Sequence, residues 1–332
     1  MQTLIKNTRA YTLLKAEGEK NRFGHAYLVQ LDDSKNLRSA LKSFAKLFFH
    51  CDDTAATINP QAKRVAELID AEIFSDCLFY PAEGEKFVVE DAQRLTEEST
   101  LKSVEGDKKV FVVCDFAEAT VAAQNKLLKL LEEPPQGVIF LLGATTVYPV
   151  LSTVLSRVEK LEIPPFDIPQ IEACLFRIYG QDGKYTRKDF QLCAAACGGC
   201  VGTAQSLLEG GDFHALLSNA FALCLAKPHE LPVLVKKIGE TKRKKEFLSL
   251  LRILFRDALV FTGGLGTEHL FLRAESEKLQ NIASEYSRAT LLYAQEQIAQ
   301  AEKQLFFNTV FPQCVEILFA KIFRFKSERQ TN

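Results

Sequence analysis

Residues 110–146 read VFVVCDFAEATVAAQNKLLKLLEEPPQGVIFLLGATT, and this stretch decides the fold. Val110–Cys114 is a short, unbroken apolar run, the pattern of a strand buried on both faces. Thr120 is a good N-cap residue for the helix that follows. The apolar positions of that helix include Leu127, Leu128 and Leu131. Pro134 and Pro135 end it, because proline removes a ladder donor and disfavours helix in the residue before it. Val138–Leu142 is then a second buried strand. Two uniformly apolar strands joined through a helix imply a parallel sheet with helices on both faces.

The same alternation extends upstream. Ala26–Val29 reads as a short strand. A stripe at Leu37, Leu41, Phe44, Ala45 and Phe48 has helical spacing. Asp76–Tyr80 and Lys86–Val89 read as further short strands, and Asp91–Thr100 as a helix. Downstream of Pro164 and Pro165 the strand-like runs vanish. Residues 166–210 suit a small helical module, with turns at Gly180–Gly183 and at Gly198 and Gly199. Gly210 and Gly211 mark a second boundary. The remainder is helical, with a break around Gly263–Gly266 and a closing stripe at Phe311, Val315, Leu318, Phe319 and Ile322. The expected architecture is α/β followed by all-α, in three domains at 1–165, 166–210 and 211–332.

Composition narrows the function classes. The chain is 47% hydrophobic and 25% charged, with a net charge of −1. No global field attracts nucleic acid or an anionic membrane, so contact with DNA would need a local patch or a partner. The nine cysteines lack a framework spacing and read as reduced thiols. The first twenty residues have no long apolar core or cleavage site, and a cytoplasmic protein is expected. The longest uncharged run, Pro134–Ser156, is full of turn-forming residues and does not suit a membrane span.

Four stretches in order carry a resemblance: His25-Ala26-Tyr27-Leu28; Asn125 through Pro135, NKLLKLLEEPP; Ala144-Thr145-Thr146; and Leu155-Ser156-Arg157-Val158. Together they resemble the AAA+ clamp-loader ATPase family, and most nearly its delta-prime branch. The second stretch is similar to the family's N-x-L-L-K-x-L-E-E-P-P, and the fourth to its S-R-C motif, with Val158 in place of the cysteine. The resemblance implies an AAA+ parallel-sheet domain, a helical lid and a C-terminal helical collar that joins subunits. It also implies partners: gamma/tau-type and delta-type clamp-loader subunits and, through the complex, the sliding clamp and primed DNA.

The chemistry of the nucleotide site departs from that family. A phosphate loop needs glycines so that backbone N–H groups can approach phosphate, a lysine to neutralise it and a hydroxyl for magnesium. The corresponding stretch here is Leu31-Asp32-Asp33-Ser34-Lys35-Asn36-Leu37-Arg38. It has no glycine, Leu37 replaces the lysine, Arg38 replaces the hydroxyl residue, and two aspartates stand where phosphate would sit. Cys114 falls at the metal-binding aspartate and Asp115 at the glutamate beside it. A neutral thiol is a poor substitute for a hard oxygen ligand of magnesium. The segment Gly198–Ala204, similar to the sensor 2 turn, has Gly202 and Thr203 where an arginine is usual. No bound nucleotide, cofactor or metal is therefore expected. The alternative is an active ATPase with a divergent loop, for which Lys35 is the candidate lysine.

The residue left with a chemical role is Arg157, with Ser156 beside it. The resemblance implies that this arginine reaches in trans to the nucleotide of a neighbouring subunit. The competing reading is a surface arginine paired with Glu159 or another carboxylate. Several other features have plainer readings. Glu132 and Glu133 read as a helix end rather than a catalytic pair. Thr145 and Thr146 read as satisfying strand-end hydrogen bonds. Cys193, Cys197 and Cys200 lack a fourth zinc ligand nearby. The cluster Lys236, Lys237, Lys242, Arg243, Lys244 and Lys245 suits either a phosphate backbone or a solvated helix face.

Overall fold

The computed structural model describes residues 1–181, 183–264, 266–306 and 309–328. Asp182 and Leu265, which fall within two of the expected breaks, lie outside the described residues. The chain divides into two compact units, Met1–Pro165 and Phe166–Asn332.

The first unit begins with α1 (Gln2–Lys6) and α2 (Arg9–Glu19), then β1 (Ala26–Gln30) and α3 (Ser34–Phe48). It continues through α4 (Asp53–Ile58), α5 (Pro60–Asp70), β2 (Cys77–Tyr80), α6 (Val89–Ser99) and β3 (Lys109–Val113). It ends with α7 (Val121–Glu132), β4 (Val138–Ala144), α8 (Ser152–Leu155) and β5 (Glu159–Glu162). The five strands form one parallel sheet in the order β2-β3-β4-β1-β5. Alternate side chains of β3 and β4 divide between the two faces, as a period of two requires. Phe111, Val113, Phe140 and Leu142 pack in one cluster with Leu95 of α6 and with Ala123, Leu127 and Leu131 of α7. On the other face lies α3, whose Leu41 sits so close to β4 that a Cβ on Gly143 would come within 2.5 Å of it. A side chain at that strand position would have to displace the buried Leu41 side chain.

Local signals place α7 as expected. The Thr120 hydroxyl accepts from the Ala123 N–H at 3.2 Å, and the helix ends at Glu132, just ahead of the two prolines. Lys86–Val89 is not a strand. The Asp91 carboxylate accepts the Val88 N–H at 3.2 Å and makes Val88 the N-cap of α6. That local bond offers the backbone an alternative to a ladder.

The second unit is helical: α9 (Ile168–Tyr179), α10 (Arg187–Ala196), α11 (Val201–Gly210), α12 (Phe213–Cys224), α13 (Leu231–Gly239), α14 (Lys244–Thr262), α15 (Ser276–Glu285), α16 (Arg288–Phe306) and α17 (Phe311–Glu328). Among its described residues there is no strand. The closing stripe of α17 is consumed in this unit's own core. Phe311 meets Phe247 with ring centroids 6.1 Å apart, and Phe319 meets Phe255 at 6.2 Å. Those side chains are therefore not a surface for docking other subunits. No described helix is long and apolar enough to cross a membrane.

Candidate functional site

All five strands run parallel, so their C-terminal ends share one edge, where ligands of α/β sheets usually bind. The expected nucleotide position lies at that edge. Only Leu31, Asp32 and Asp33 separate β1 from α3. The second half of the stretch matched to the phosphate loop is already helix. Asp33 is buried, and its carboxylate accepts from the Asn36 backbone N–H at 3.1 Å and from the Asn36 side chain at 2.9 Å. The helix end that would face a phosphate is thus capped by the chain's own anion. Lys35 is exposed in the first turn of α3.

Leu37 is buried in the core. Arg38, one residue on, turns toward the ends of β2 and β3. Its Nε donates to Glu72 Oε1 at 2.6 Å, its Nη1 to the Pro81 carbonyl at 3.0 Å, and its Nη2 meets the other Glu72 oxygen at 2.5 Å. Lys42 adds a second cation to Glu72 at 2.8 Å. The two side chains of the Arg38 pair are only 18% and 23% exposed. The Arg38 hydrogen bonds foremost, helped by Lys42, hold the Glu72 carboxyl down to about 2. A bidentate, partly buried guanidinium–carboxylate pair is among the stronger ion pairs available to a protein.

Cys114 and Asp115 follow β3. Burial pushes the Cys114 thiol up to about 11, so it is a neutral side chain at neutral pH. Asp115 adopts a left-handed backbone, φ +46°. Its carboxyl is pushed above the ordinary value by burial first and by Glu118 second, against hydrogen bonds from Thr145 that favour the charged form. One carboxylate oxygen, Oδ1, is buried without a protein partner. The hydrogen bonds of Thr145 to Asp115, and that of Thr146 Oγ1 with the Tyr148 N–H at 3.4 Å, match the strand-end role expected of those threonines.

Three of the four motif stretches meet at the C-terminal end of α7, through His25, Glu132 and Arg157. His25 Nε2 lies 3.1 Å from the Leu131 carbonyl. Gln124, buried in α7, donates to the Pro149 carbonyl at 3.2 Å and accepts from the Leu151 N–H at 2.9 Å, fixing the segment that leads into α8. Arg157 follows α8. Its Nη1 donates to the Thr153 carbonyl at 2.7 Å and to Ser156 Oγ at 3.1 Å, and its Nη2 meets Glu132 Oε1 at 2.5 Å. Arg157 is 33% exposed and Glu132 48%. The carboxylate partner is thus Glu132, from the helix-end motif, and not Glu159. Burial, together with Glu17 nearby, raises the Glu159 carboxyl. Sequence reasoning missed both Glu132 and Glu72 as partners.

In the second unit, Cys200 Sγ accepts from the Thr203 N–H at 3.4 Å and caps α11, while Cys193 and Cys197 are buried. Among the described residues, no group of three or more His, Cys, Asp or Glu is placed to hold a metal ion. Arg243 of the basic cluster is tied to Asp212 at 3.0 Å and to the Ser206 carbonyl at 2.7 Å. Its lysine neighbours are exposed.

The family described as DNA polymerase III, delta subunit, matches residues 6–167. DNA polymerase III subunit delta' of Bacillus subtilis is 28% identical over 164 residues, covering 49% of this chain and 49% of the relative. DNA polymerase III subunit tau/gamma of Haemophilus influenzae is 30% identical over 162 residues, covering 49% of this chain and 23% of the relative. The chain spans half or less of the length of these curated relatives. Among solved structures, a gamma subunit-related protein from Thermotoga maritima aligns with 15% identity and a TM-score of 0.42, over 95% of this chain and 98% of that one. Residues 6–167, within the first unit, thus match the family described as DNA polymerase III, delta subunit, and are similar to delta' and tau/gamma subunits.

Proposed function

We propose that this chain is a non-hydrolysing subunit of the bacterial DNA polymerase III clamp loader. The observation that carries the reading is the short link Leu31–Asp33, whose own carboxylate caps α3 where phosphates would have to sit. Arg38 adds to it, because its charge is spent on Glu72 rather than left to a ligand. Cys114 offers a neutral thiol where magnesium needs a hard oxygen. In this reading the AAA+ domain binds no nucleotide of its own, residues 166–210 act as a lid, and residues 211–332 act as a collar that assembles with gamma/tau-type and delta-type subunits. The complex then places the sliding clamp on primed DNA, in the cytoplasm.

Arg157, with Ser156, serves a neighbour in this reading. A guanidinium brought to a transferring phosphoryl group stabilises its developing charge and contributes about 10³ to 10⁵ in rate in comparable systems. Its partial exposure leaves it able to do so.

Two measurements test the proposal. Titration of the purified chain with Mg-ATP is expected to give no magnesium-dependent binding; tight binding would favour the divergent-loop ATPase, with Lys35 at the phosphates. Reconstitution with the ATPase subunits is expected to show turnover that depends on Arg157. An Arg157→Ala complex that assembles and keeps full turnover and clamp loading would reject the role in trans.

A further inference from the structure

We propose that Glu132 is a positioning residue for Arg157, aiming its guanidinium at an anionic group on an adjoining subunit; this rests on the in-trans reading of Arg157. Arg157 follows α8, a helix of four residues, Ser152–Leu155. So short an element gives a long side chain little direction. The contacts of Nη1, to Thr153 and Ser156, are made within that same turn. The contact that ties the guanidinium to a second element is Nη2 with Glu132, at 2.5 Å.

Glu132 is well placed to be an anchor. It is the last residue of α7, and the residue before it is held by the contact of its carbonyl with His25, next to the interior strand β1. The proline pair fixes where the helix stops. At 48% exposure for Glu132 and 33% for Arg157, the pair contributes little to folding. What it supplies is order. A free arginine gives up considerable rotamer entropy when it docks, and one held beforehand gives up less. The three contacts engage three of the five guanidinium N–H donors, so two stay outside them for incoming phosphate oxygens. Glu132 is half in solvent, and the high dielectric there weakens its repulsion of such an anion.

The test uses the reconstituted complex with Mg-ATP, comparing the wild type with Glu132→Ala, Glu132→Gln, Arg157→Ala and the Glu132→Ala/Arg157→Ala double variant. Glu132→Ala is expected to lower kcat about three- to tenfold, with KM for ATP unchanged. The melting temperature of the free chain should not move. Glu132→Gln keeps an acceptor oxygen in place and should recover most of the rate. The double variant should be no slower than Arg157→Ala alone. Full kcat in Glu132→Ala beside a slow Arg157→Ala overturns the positioning role and leaves the role of Arg157 intact. Full kcat in both removes the role of Arg157, and this inference with it. A drop in Glu132→Ala that persists unchanged in the Arg157→Ala background, or that comes with a lowered melting temperature, marks a structural role and also overturns it.

Discussion

Arg38 and Arg157 are both held by a glutamate from elsewhere in the first unit, and the two pairs differ in how much of the arginine they use. Arg38 is gripped through both arms by Glu72, reaches the Pro81 carbonyl as well, and is largely enclosed. Arg157 meets Glu132 through one nitrogen at a half-open surface. The first pair joins α3 to the segment following α5 and fills the edge of the sheet with a cation. The second leaves its guanidinium available. A charge's partners and its exposure, more than its presence in a motif, decide whether it maintains the fold or remains for chemistry.

The contrast can be broken by moving each arginine in turn. The largest expected effect is on rate. On the proposed reading, Arg157→Ala should slow ATP turnover of an assembled complex by about 10³ or more, whereas Arg38→Ala should leave turnover per assembled complex unchanged. Single-turnover ATPase assays at equal complex concentration decide this.

Next is the acid limb of stability. The Glu72 carboxyl lies near 2 in the folded chain against an ordinary 4.5. Its folded value is depressed, so its contribution is complete above pH 4.5 and fades as pH falls toward 2. Linkage sets an upper bound of roughly 3 kcal/mol on that contribution, which solvent screening lowers because the carboxylate keeps 23% of its surface in water. Urea midpoints measured from pH 6 to pH 3 should fall less steeply for Glu72→Gln than for the wild type; parallel curves would show that the pair contributes nothing in water.

Arg38→Ala should come third, at about 2 kcal/mol at neutral pH, because it leaves a partly enclosed carboxylate short of its main partner. Arg157→Ala should destabilise the chain by less than about 1 kcal/mol, the range of exposed pairs. Chemical denaturation of the two variants side by side checks both, and equal losses would erase the distinction drawn here.

The sequence made the interior of the first unit legible because its strands are buried on both faces. Val110–Cys114, Val138–Leu142 and Ala26–Val29 announce themselves as apolar runs, and Thr120 and Pro134 delimit α7 by chemistry that acts over a few residues. β5 escaped notice because it lies at the sheet edge and reads Glu-Lys-Leu-Glu, with only Leu161 turned inward. Lys86–Val89 misled because a β-branched run was outweighed by one carboxylate three residues on. The site was legible in position but not in partnership. The substitutions at Leu37, Arg38 and Cys114 stand in the motif itself, but Glu72 lies outside any motif and meets Arg38 only through the fold. Glu159 looked the natural partner of Arg157 by nearness in sequence. It lies on a strand, near Tyr27 and Glu17, while Glu132 reaches across from the end of α7.

The Asp33 cap carries one more consequence. A helix that finishes its own first turn with an internal carboxylate requires no borrowed anion to be complete, and the cap adds about 1 kcal/mol from within the chain. Proteins that close on a ligand gain stability by mass action and lose it when the ligand is scarce. On the proposed reading, the folded population around α3 should stay the same whether nucleotide is scarce or plentiful.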